Sequence, residues 1–388
     1  MAGVTYTAAE MVGKLVAFNT TSHRSNLDLI QFCAEYLAGH GVEAALIHNP
    51  EGTKANLVAT IGPGVAGGVM LSGHTDVVPV EGQDWESDPF EVMERDGRLH
   101  GRGTADMKSF LAVALTLVPE FAKRDLKVPI HLAFSYDEEV GCFGAVPLLE
   151  HVTAHLPPPL AVIIGEPTDM KVVNAHRGIA IYRTTVSGRP GHASATHKGV
   201  SAVVYAAECV AFLGRLTEEI KAGAAPIDDF DPPYTTINVG RIKGGSAVNV
   251  IAPGCVFDWE SRVLPGGDGD EAARRLAAFA ADELLPRMHA VAPEAEIVTE
   301  EVVALPAFIP EPGSPAEALV LMLTGQNRAR PVQFSSEAGL FQGSGLATVI
   351  CGPGHPDQAH RANEYVTLAD IEACQALLRK LADWAESV

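Results

Sequence analysis

Apolar runs that alternate with amphipathic segments dominate the first part of the chain. Helical spacing of the apolar residues predicts helices over 8–16, 27–38, 109–121 and 144–151. Short apolar runs bounded by turn residues predict strands over 42–47, 56–61, 69–71, 130–134 and 161–164. Strands and helices that alternate along a chain are typical of a parallel sheet with helices on both faces. We therefore expect an α/β fold with a mixed, mostly parallel sheet.

The pattern of apolar and polar positions changes near Arg177. Residues 179–186 alternate between apolar and polar, which indicates a half-buried strand of an antiparallel sheet. The elements predicted after it are a helix over 199–215, a Pro/Asp-rich loop over Pro226 to Pro233, strands over 234–240 and 254–264, and a helix over 270–285. The first pattern then returns, with strands over 295–303 and 347–351 and helices over 315–323 and 368–384. We therefore expect one domain of residues 1–177 and 291–388, and an inserted α+β domain of residues 178–290.

Composition and charge narrow the class of protein. A chain of 388 residues can form two domains that each bury a core. The formal net charge of −20 argues against nucleic acid as a partner, because neutralising phosphates requires basic patches. No apolar run approaches the length of a membrane span, and the first residues lack the features of a secretion signal. Six scattered cysteines without CxxC spacing are typical of reduced thiols. We expect a cytoplasmic protein with no membrane or nucleic-acid partner.

Residues that can bind metal ions follow several of the predicted strands and glycine-rich turns. Open α/β sheets place their ligands at these strand ends. Carboxylates in such buried positions are costly unless positive charge neutralises them, and two divalent metal ions would do so. The residues alone leave two C-terminal histidines open as alternatives. The candidate set is His74, Asp106, Glu138, Glu139, Glu166 and either His355 or His360.

The composition of this set indicates a catalytic metal site. Imidazole and carboxylate ligands without thiolate suit zinc, cobalt or manganese. A carboxylate that bridges two ions leaves room for a shared water, which the ions acidify. Only one of the adjacent residues Glu138 and Glu139 can face a given ion, so the other is free to act as general base. Asp76 lies two residues after His74 and can hold its second ring nitrogen.

Several motifs, spread over nearly the whole chain, resemble those of the di-zinc amidohydrolase family. They are HTDVVPVEGQDW, GRGTADMK, DEEVGCFGA, GEPT, GRPGHAS and the late GPG…AH. The resemblance implies that His74 and Glu166 bind one zinc ion, that Glu139 and His360 bind the other, and that Asp106 bridges them. His360 is favoured over His355 because the family's ligand lies just before a segment that here reads Asn363-Glu364-Tyr365.

The resemblance also implies roles for residues outside the metal ligands. Asp76 would support His74, and Glu138 would take a proton from the water and pass it to the leaving amine. The inserted domain resembles the family's lid and dimerisation domain, which implies a homodimer. His192 of this domain would reach across the dimer to stabilise the oxyanion of the intermediate.

Four further residues match positions that bind substrate carboxylate or amide groups in the family: Arg177, Asn249, Arg262 and Ser336. An arginine fork suits a carboxylate, although a surface ion pair is the alternative for both arginines. Arg177 stands in a His-Arg-Gly segment where the deacetylases of the family typically carry His-Lys-Gly, which weakens the assignment of the substrate.

The motif variants are nearer to the acetylornithine deacetylase branch of the family than to the desuccinylase branch. The expected reaction is hydrolysis of an N-acyl-L-amino acid, with N²-acetyl-L-ornithine as substrate and a place in arginine biosynthesis. The expected cofactors are two zinc ions per subunit, for which cobalt can substitute. The alternatives are a succinyl-diaminopimelate desuccinylase, a broader aminoacylase or dipeptidase, and a metal-free binding module.

Overall fold

The computed structural model describes residues 3–224, 227 and 229–388 and divides the chain into two compact units. The first unit contains the described residues up to Asn174, together with Pro310–Arg330 and Ser336–Val388. The second unit contains the described residues of Ala175–Ile309, together with Pro331–Ser335. The inserted unit therefore extends further along the chain than the sequence-based boundary at residue 290.

The strands have the following bounds. They are β1 (Ala44–His48), β2 (Ala55–Ile61), β3 (Val69–His74), β4 (Met93–Arg95), β5 (Arg98–His100), β6 (Ile130–Ser135), β7 (Ala161–Pro167), β8 (Val173–Ala175), β9 (Gly178–Ser187), β10 (Gly191–His192), β11 (Thr236–Gly244), β12 (Val250–Ile251), β13 (Gly254–Val263), β14 (Glu296–Leu305), β15 (Arg330–Pro331), β16 (Thr348–Gly352) and β17 (Tyr365–Thr367).

The α-helices lie between these strands. They are α1 (Ala8–Val16), α2 (Leu27–Gly39), α3 (Lys108–Phe121), α4 (Ala145–His155), α5 (Ala202–Gly223), α6 (Glu271–Phe279), α7 (Leu285–His289), α8 (Pro315–Thr324), α9 (Ala338–Gly343) and α10 (Leu368–Ser387). None of the helices in the described ranges is long and apolar enough to cross a membrane.

A large sheet with the strand order β1-β2-β6-β3-β7-β16-β8-β15 forms the centre of the first unit. Its central strands β6, β3, β7 and β16 run parallel, whereas β1 and β2 are antiparallel at one edge. Every residue of β3, β6, β7 and β16 is buried, as expected for parallel strands covered on both faces. The predicted mixed, mostly parallel α/β fold is confirmed.

Helices cover this sheet and build its core. Helix α3 packs against β3 and against α1 and α10, and α8 packs against β7 and β16. Helix α4 packs against β2, β6 and α9. The side chains of Phe110, Leu111 and Leu115 on α3 are fully buried and join the apolar cluster that includes Val69 and Leu71 of β3. Burial of apolar side chains therefore fixes β3, and with it the position of His74 at its end.

The second unit contains an antiparallel sheet with the strand order β11-β13-β9-β14. Buried residues alternate with less buried ones along β9 and β13, because one face of the sheet packs against α5. Phe257, Trp259 and Leu213 belong to the resulting core. Strand β14, which the sequence analysis assigned to the returning first domain, pairs with β9 and completes this sheet. This pairing explains why the second unit continues to Ile309.

Other differences from the sequence analysis concern short elements and helix ends. Helix α5 begins at Ala202 and ends at Gly223, whereas the sequence predicted 199–215. The short strands β4, β5 and β17, which the sequence did not predict, pair into a small sheet of their own. Of the predicted Pro/Asp-rich loop, Pro226 and Asp228 lie outside the described residues.

Candidate active site

The polar residues predicted to bind metal meet at one edge of the large sheet. His74 is the last residue of β3, Glu166 lies at the end of β7, and Glu138 and Glu139 follow β6. These three strands are neighbours and run parallel, so their carboxyl ends lie at the same edge. His360 follows β16, the next strand of the sheet. The topology therefore brings together residues that are up to 286 positions apart, from His74 to His360.

The Asp106 carboxylate is the centre of this cluster. Its Oδ1 lies 3.0 Å from Nε2 of His74, and its Oδ2 lies 3.2 Å from Nε2 of His360. Each imidazole also faces a second carboxylate. His360 Nε2 lies 2.9 Å from Glu139 Oε2, and His74 Nε2 lies 3.8 Å from Glu166 Oε1. One carboxylate between two imidazoles, each with its own further carboxylate, is the arrangement expected of a bridging ligand.

Glu138 also lies within this cluster. Ligand atoms of His74, Glu138 and Glu166 lie within 4.8 Å of one another, as do those of His74, Asp106 and Glu139. Proximity alone would therefore allow Glu138 to bind metal, and its role has to be decided by other contacts.

Burial and mutual repulsion dominate the electrostatics of the cluster. Burial raises the pKa of Glu138 and of Glu166 well above the usual range, and burial and the charge of Asp106 raise the pKa of Glu139 to about 7. The hydrogen bonds to Asp106 and Glu139 raise the pKa of His360 to about 11. Burial opposes ionisation of Asp106 too, but its hydrogen bonds from His360 and His74 lower its pKa. Contacts with the two imidazoles therefore offset part of the cost of burying these carboxylates.

Divalent cations fit this set of residues. Nitrogen and oxygen donors without thiolate suit zinc, cobalt or manganese. Oε1 of Glu139 is buried and has no hydrogen-bond partner within the described ranges, so it is available as a ligand atom. His74 Nδ1 lies 2.9 Å from the backbone carbonyl of Asp76, and donation of its proton there leaves the Nε2 lone pair directed at the cluster.

Asp76 positions His74 and also the segment that contains Glu138 and Glu139. Its carboxylate accepts hydrogen bonds from the backbone N–H of Glu138 at 3.1 Å, from that of Glu139 at 3.3 Å and from the Ser22 hydroxyl at 2.7 Å. The spacing of the two residues predicted this carboxylate at the second ring nitrogen of His74. The structure places the Asp76 backbone carbonyl there, with Asp76 Oδ1 further away at 3.6 Å.

A second support, which the sequence did not predict, is the buried pair of Arg102 and Glu364. Arg102 Nη1 donates to Glu364 Oε2 at 2.6 Å, and the two side chains are 1% and 0% exposed. Oε1 of Glu364 accepts the backbone N–H groups of Ala105 and Asp106 at 2.8 and 3.1 Å. The pairing of β5 with β17 brings these segments together. The sequence offers two signals for this pair, the glycines that flank Arg102 and the segment Asn363-Glu364-Tyr365. No pattern within one sequence links these two segments.

His355 does not join the cluster in the way that His360 does. Its Nε2 lies 3.5 Å from Asp169 Oδ2, and its Nδ1 lies 3.8 Å from Asp357 Oδ2. Both carboxylates belong to residues outside the candidate set, so the geometry favours His360 among the two histidines that the sequence left open.

The residues predicted to bind substrate are held in different ways. Arg177, 3% exposed, donates to the backbone carbonyls of Pro232 and Tyr234. Arg262 donates to Glu260 at 2.9 Å, which is the ion pair considered as its alternative. Ser336 is buried two residues before α9, and its hydroxyl accepts the backbone N–H of Ala338. The backbone carbonyl of Asn249 accepts from the N–H of Ala193, the residue after His192.

His192 lies exposed in the second unit. Its Nδ1 lies 2.7 Å from the Ser194 hydroxyl and accepts the Ser194 backbone N–H at 3.2 Å. These contacts leave Nε2 of the imidazole as the atom that can face a ligand.

The fold and the site define a metal-dependent hydrolase, and comparison with known proteins gives its family. Residues 70–384 match the model of peptidase family M20/M25/M40. The chain is 32% identical over 386 residues to an acetylornithine deacetylase of Pasteurella multocida, and the match covers 96% of each protein. This protein therefore belongs to peptidase family M20/M25/M40.

Solved structures of this family share the fold. An M20 family metallo-carboxypeptidase from Sulfolobus solfataricus matches with a TM-score of 0.76 at 15% identity, over 99% of this chain and 100% of that one. The YXEP protein of Bacillus subtilis, described as a dinuclear metal binding peptidase from this family, matches with a TM-score of 0.62 at 14% identity, over 98% of each chain. The recognised family and the predicted enzyme class are confirmed.

The first prediction concerns the pair of Arg102 and Glu364. Arg102→Met leaves the Glu364 carboxylate buried without its cation, which should lower the free energy of unfolding by about 3–5 kcal/mol. Urea denaturation followed by tryptophan fluorescence measures the loss.

Arg95→Met is the matched control, because Arg95 pairs with Glu86 at 3.2 Å and both side chains are more than half exposed. That variant should lose no more than about 1 kcal/mol. Equal losses in the two variants would contradict a special role of the buried pair.

Proposed function

We propose that this chain hydrolyses the amide bond of an N-acyl-L-amino acid at a centre of two divalent metal ions. The observation that carries the proposal is the Asp106 carboxylate, whose oxygens lie 3.0 and 3.2 Å from the imidazoles of His74 and His360. The relative at 32% identity supports N²-acetyl-L-ornithine as the substrate, with L-ornithine and acetate as products and a role in arginine biosynthesis.

In this proposal, His74 and Glu166 would hold one ion, Glu139 and His360 would hold the other, and Asp106 would be shared between them. Zinc suits these donors, and cobalt can substitute for it. Two such ions acidify a water molecule and polarise a carbonyl group.

Glu138 is proposed to be the general base. Glu139 Oε2 lies 2.9 Å from His360 Nε2, so the Glu139 side chain faces the ion proposed for His360. The Glu138 carboxylate instead has a weak contact with Cys142, whose Sγ lies 3.7 Å from its Oε1. Asp76 holds the backbone N–H of Glu138, which fixes the position of its backbone beside the cluster. Glu138 is therefore free to take a proton from the attacking water and to pass it to the leaving amine.

We also propose that the protein is a homodimer in which His192 acts in the active site of the partner subunit. Strand β11 lies at an edge of its sheet, and Ile242 on it is 52% exposed. Val248, in the following turn, is 102% exposed. An edge strand with exposed apolar residues is a surface on which a second copy can pair. His192 would donate a hydrogen bond to the oxyanion of the tetrahedral intermediate.

Substrate selection is assigned to Arg177, Asn249, Arg262 and Ser336. The two arginines influence each other, since burial and the charge of Arg262 lower the pKa of Arg177. They favour a substrate with at least one carboxylate. The compartment is proposed to be the cytoplasm, because the cysteines Cys33, Cys142, Cys209, Cys255, Cys351 and Cys374 are free and buried.

The second prediction tests the base. Glu138→Gln should retain close to two metal ions per subunit while turnover falls by ~10²–10⁴-fold, because the amide cannot accept the proton. Metal analysis and kcat measure the two quantities. Glu150→Gln, in an exposed position of α4, is the control and should change neither. Loss of metal together with activity would make Glu138 a ligand instead.

The third prediction tests the dimer. His192→Ala and Glu138→Gln subunits should each be inactive alone, but a mixed dimer would contain one site with both residues intact. Equal mixing should restore roughly a quarter of the wild-type activity, since about half of the dimers are mixed. Differently tagged subunits verify exchange. Exchange without recovered activity would exclude action of His192 in the partner's site.

The fourth prediction concerns the substrate and tests the proposed function itself. A site built to pair a charge rejects analogues that lack it more strongly than a pocket rejects one methylene. We expect kcat/KM to be highest for N²-acetyl-L-ornithine, measurable for other N-acetyl-L-amino acids, and much lower for N-succinyl-L,L-diaminopimelate. A panel assay with zinc or cobalt measures this. A clear preference for the succinyl substrate would replace the deacetylase with a desuccinylase.

A further inference from the structure

Residues 83–86, here called the clamp segment, bind the segment that carries His360. Gln83 Nε2 donates to the backbone carbonyl of His360 at 2.9 Å. The backbone N–H of Glu86 donates to Asn363 Oδ1 at 2.8 Å, and Asn363 Nδ2 donates to the Asp84 carbonyl at 3.4 Å. The two segments are 277 residues apart in sequence and belong to the same unit. These hydrogen bonds fix the two segments relative to each other.

The side-chain amide of Gln83 has one favoured orientation. Its Oε1 accepts from Trp85 Nε1 at 3.1 Å and from Arg102 Nη2 at 2.5 Å. An indole N–H and a guanidinium are donors only, so the atom that faces them has to be the amide oxygen. The NH₂ group therefore faces the His360 carbonyl. Arg102 also lies 5.2 Å from the centre of the Trp85 ring, which adds a cation–π contact.

His360 depends on such an anchor for its position. Its side chain is 54% exposed, so packing around the imidazole does not hold it. Its backbone has φ +65°, a left-handed conformation that a residue other than glycine adopts rarely and only where its surroundings determine it. The imidazole nevertheless lies 2.9 Å from Glu139 and 3.2 Å from Asp106. The backbone of His360 is therefore the part that has to be held in place.

We infer that Gln83 is a positioning residue that holds His360 in place for one of the two metal ions. The inference rests on the proposed two-metal function. Gln83 reaches the cluster through the His360 backbone, so its loss should weaken the ion bound by His360 and spare the ion bound by His74 and Glu166.

Gln83→Glu is the sharpest variant for a test. The new carboxylate still offers an acceptor to Trp85 and Arg102. The donor to the His360 carbonyl is lost, and a carboxylate oxygen that repels this carbonyl takes its place. Gln83→Leu removes both functions and serves as the second variant. Gln326→Glu is the matched control, because Gln326 Nε2 donates to the Met170 carbonyl at 2.9 Å and its Oε1 accepts from Val172 N at 3.2 Å. Its two contacts involve none of the proposed ligands.

Zinc titration of the metal-free full-length proteins, by calorimetry or by competition with a chelator, gives the two dissociation constants. His360→Ala identifies which constant belongs to the ion of His360. Gln83→Glu and Gln83→Leu should raise that constant by ~10–100-fold and leave the other unchanged, as expected when the support of a metal ligand is lost. Gln326→Glu should change neither constant. Adding Gln83→Glu to His360→Ala should cause no further loss, because both act on the same ligand.

Two results would overturn the inference. The first is a pair of unchanged constants in both Gln83 variants, while the wild-type protein binds two zinc ions. The second is an equal loss at both sites, or losses that add in the double variant, since Gln83 would then support the loops in general. If His360→Ala binds zinc as tightly as the wild-type protein at every site, the proposed metal centre would be refuted as well.

Discussion

The concentration of carboxylates at one buried edge of the sheet is the constraint on which the site depends. Glu138, Glu139 and Glu166 lie close to Asp106, and burial raises the pKa of each of the three glutamates. Burying several ionised carboxylates together is costly unless positive charge lies among them. The imidazoles of His74 and His360 lie 3.0 and 3.2 Å from the two oxygens of Asp106, and these residues are the proposed ligands of two cations.

The fold holds this unfavourable cluster in place by anchoring the backbone beside its buried side chains. Parallel strands with fully buried residues fix where the chain leaves the sheet. Asp76 then holds the N–H groups of Glu138 and Glu139, and Glu364 holds that of Asp106. The Gln83 amide does the same for the carbonyl of His360. Rigid loops of this kind are what a preorganised metal site requires.

The parallel sheet and the approximate positions of its longer elements could be predicted from the sequence, because apolar periodicity reports burial directly. The prediction of His74, Glu139 and Glu166 at strand ends followed from the same pattern, whereas the choice of His360 over His355 rested on the family resemblance. The structure brings His74, Asp106, Glu139, Glu166 and His360 together. Pairings between distant segments could not be predicted. One example is β14, whose pairing with β9 extends the second unit, and another is β17, whose pairing with β5 places Glu364 beside Asp106. Such contacts depend on the register of the folded chain and not on local propensity.

Anomalous diffraction from crystals of the protein grown with zinc tests whether Asp106 bridges two metal ions. Two zinc peaks are expected in the first unit, roughly 3.5–4 Å apart. Asp106 should contact both, with His74 and Glu166 on one ion and Glu139 and His360 on the other. A single peak, or two peaks that Asp106 does not bridge, would contradict the account.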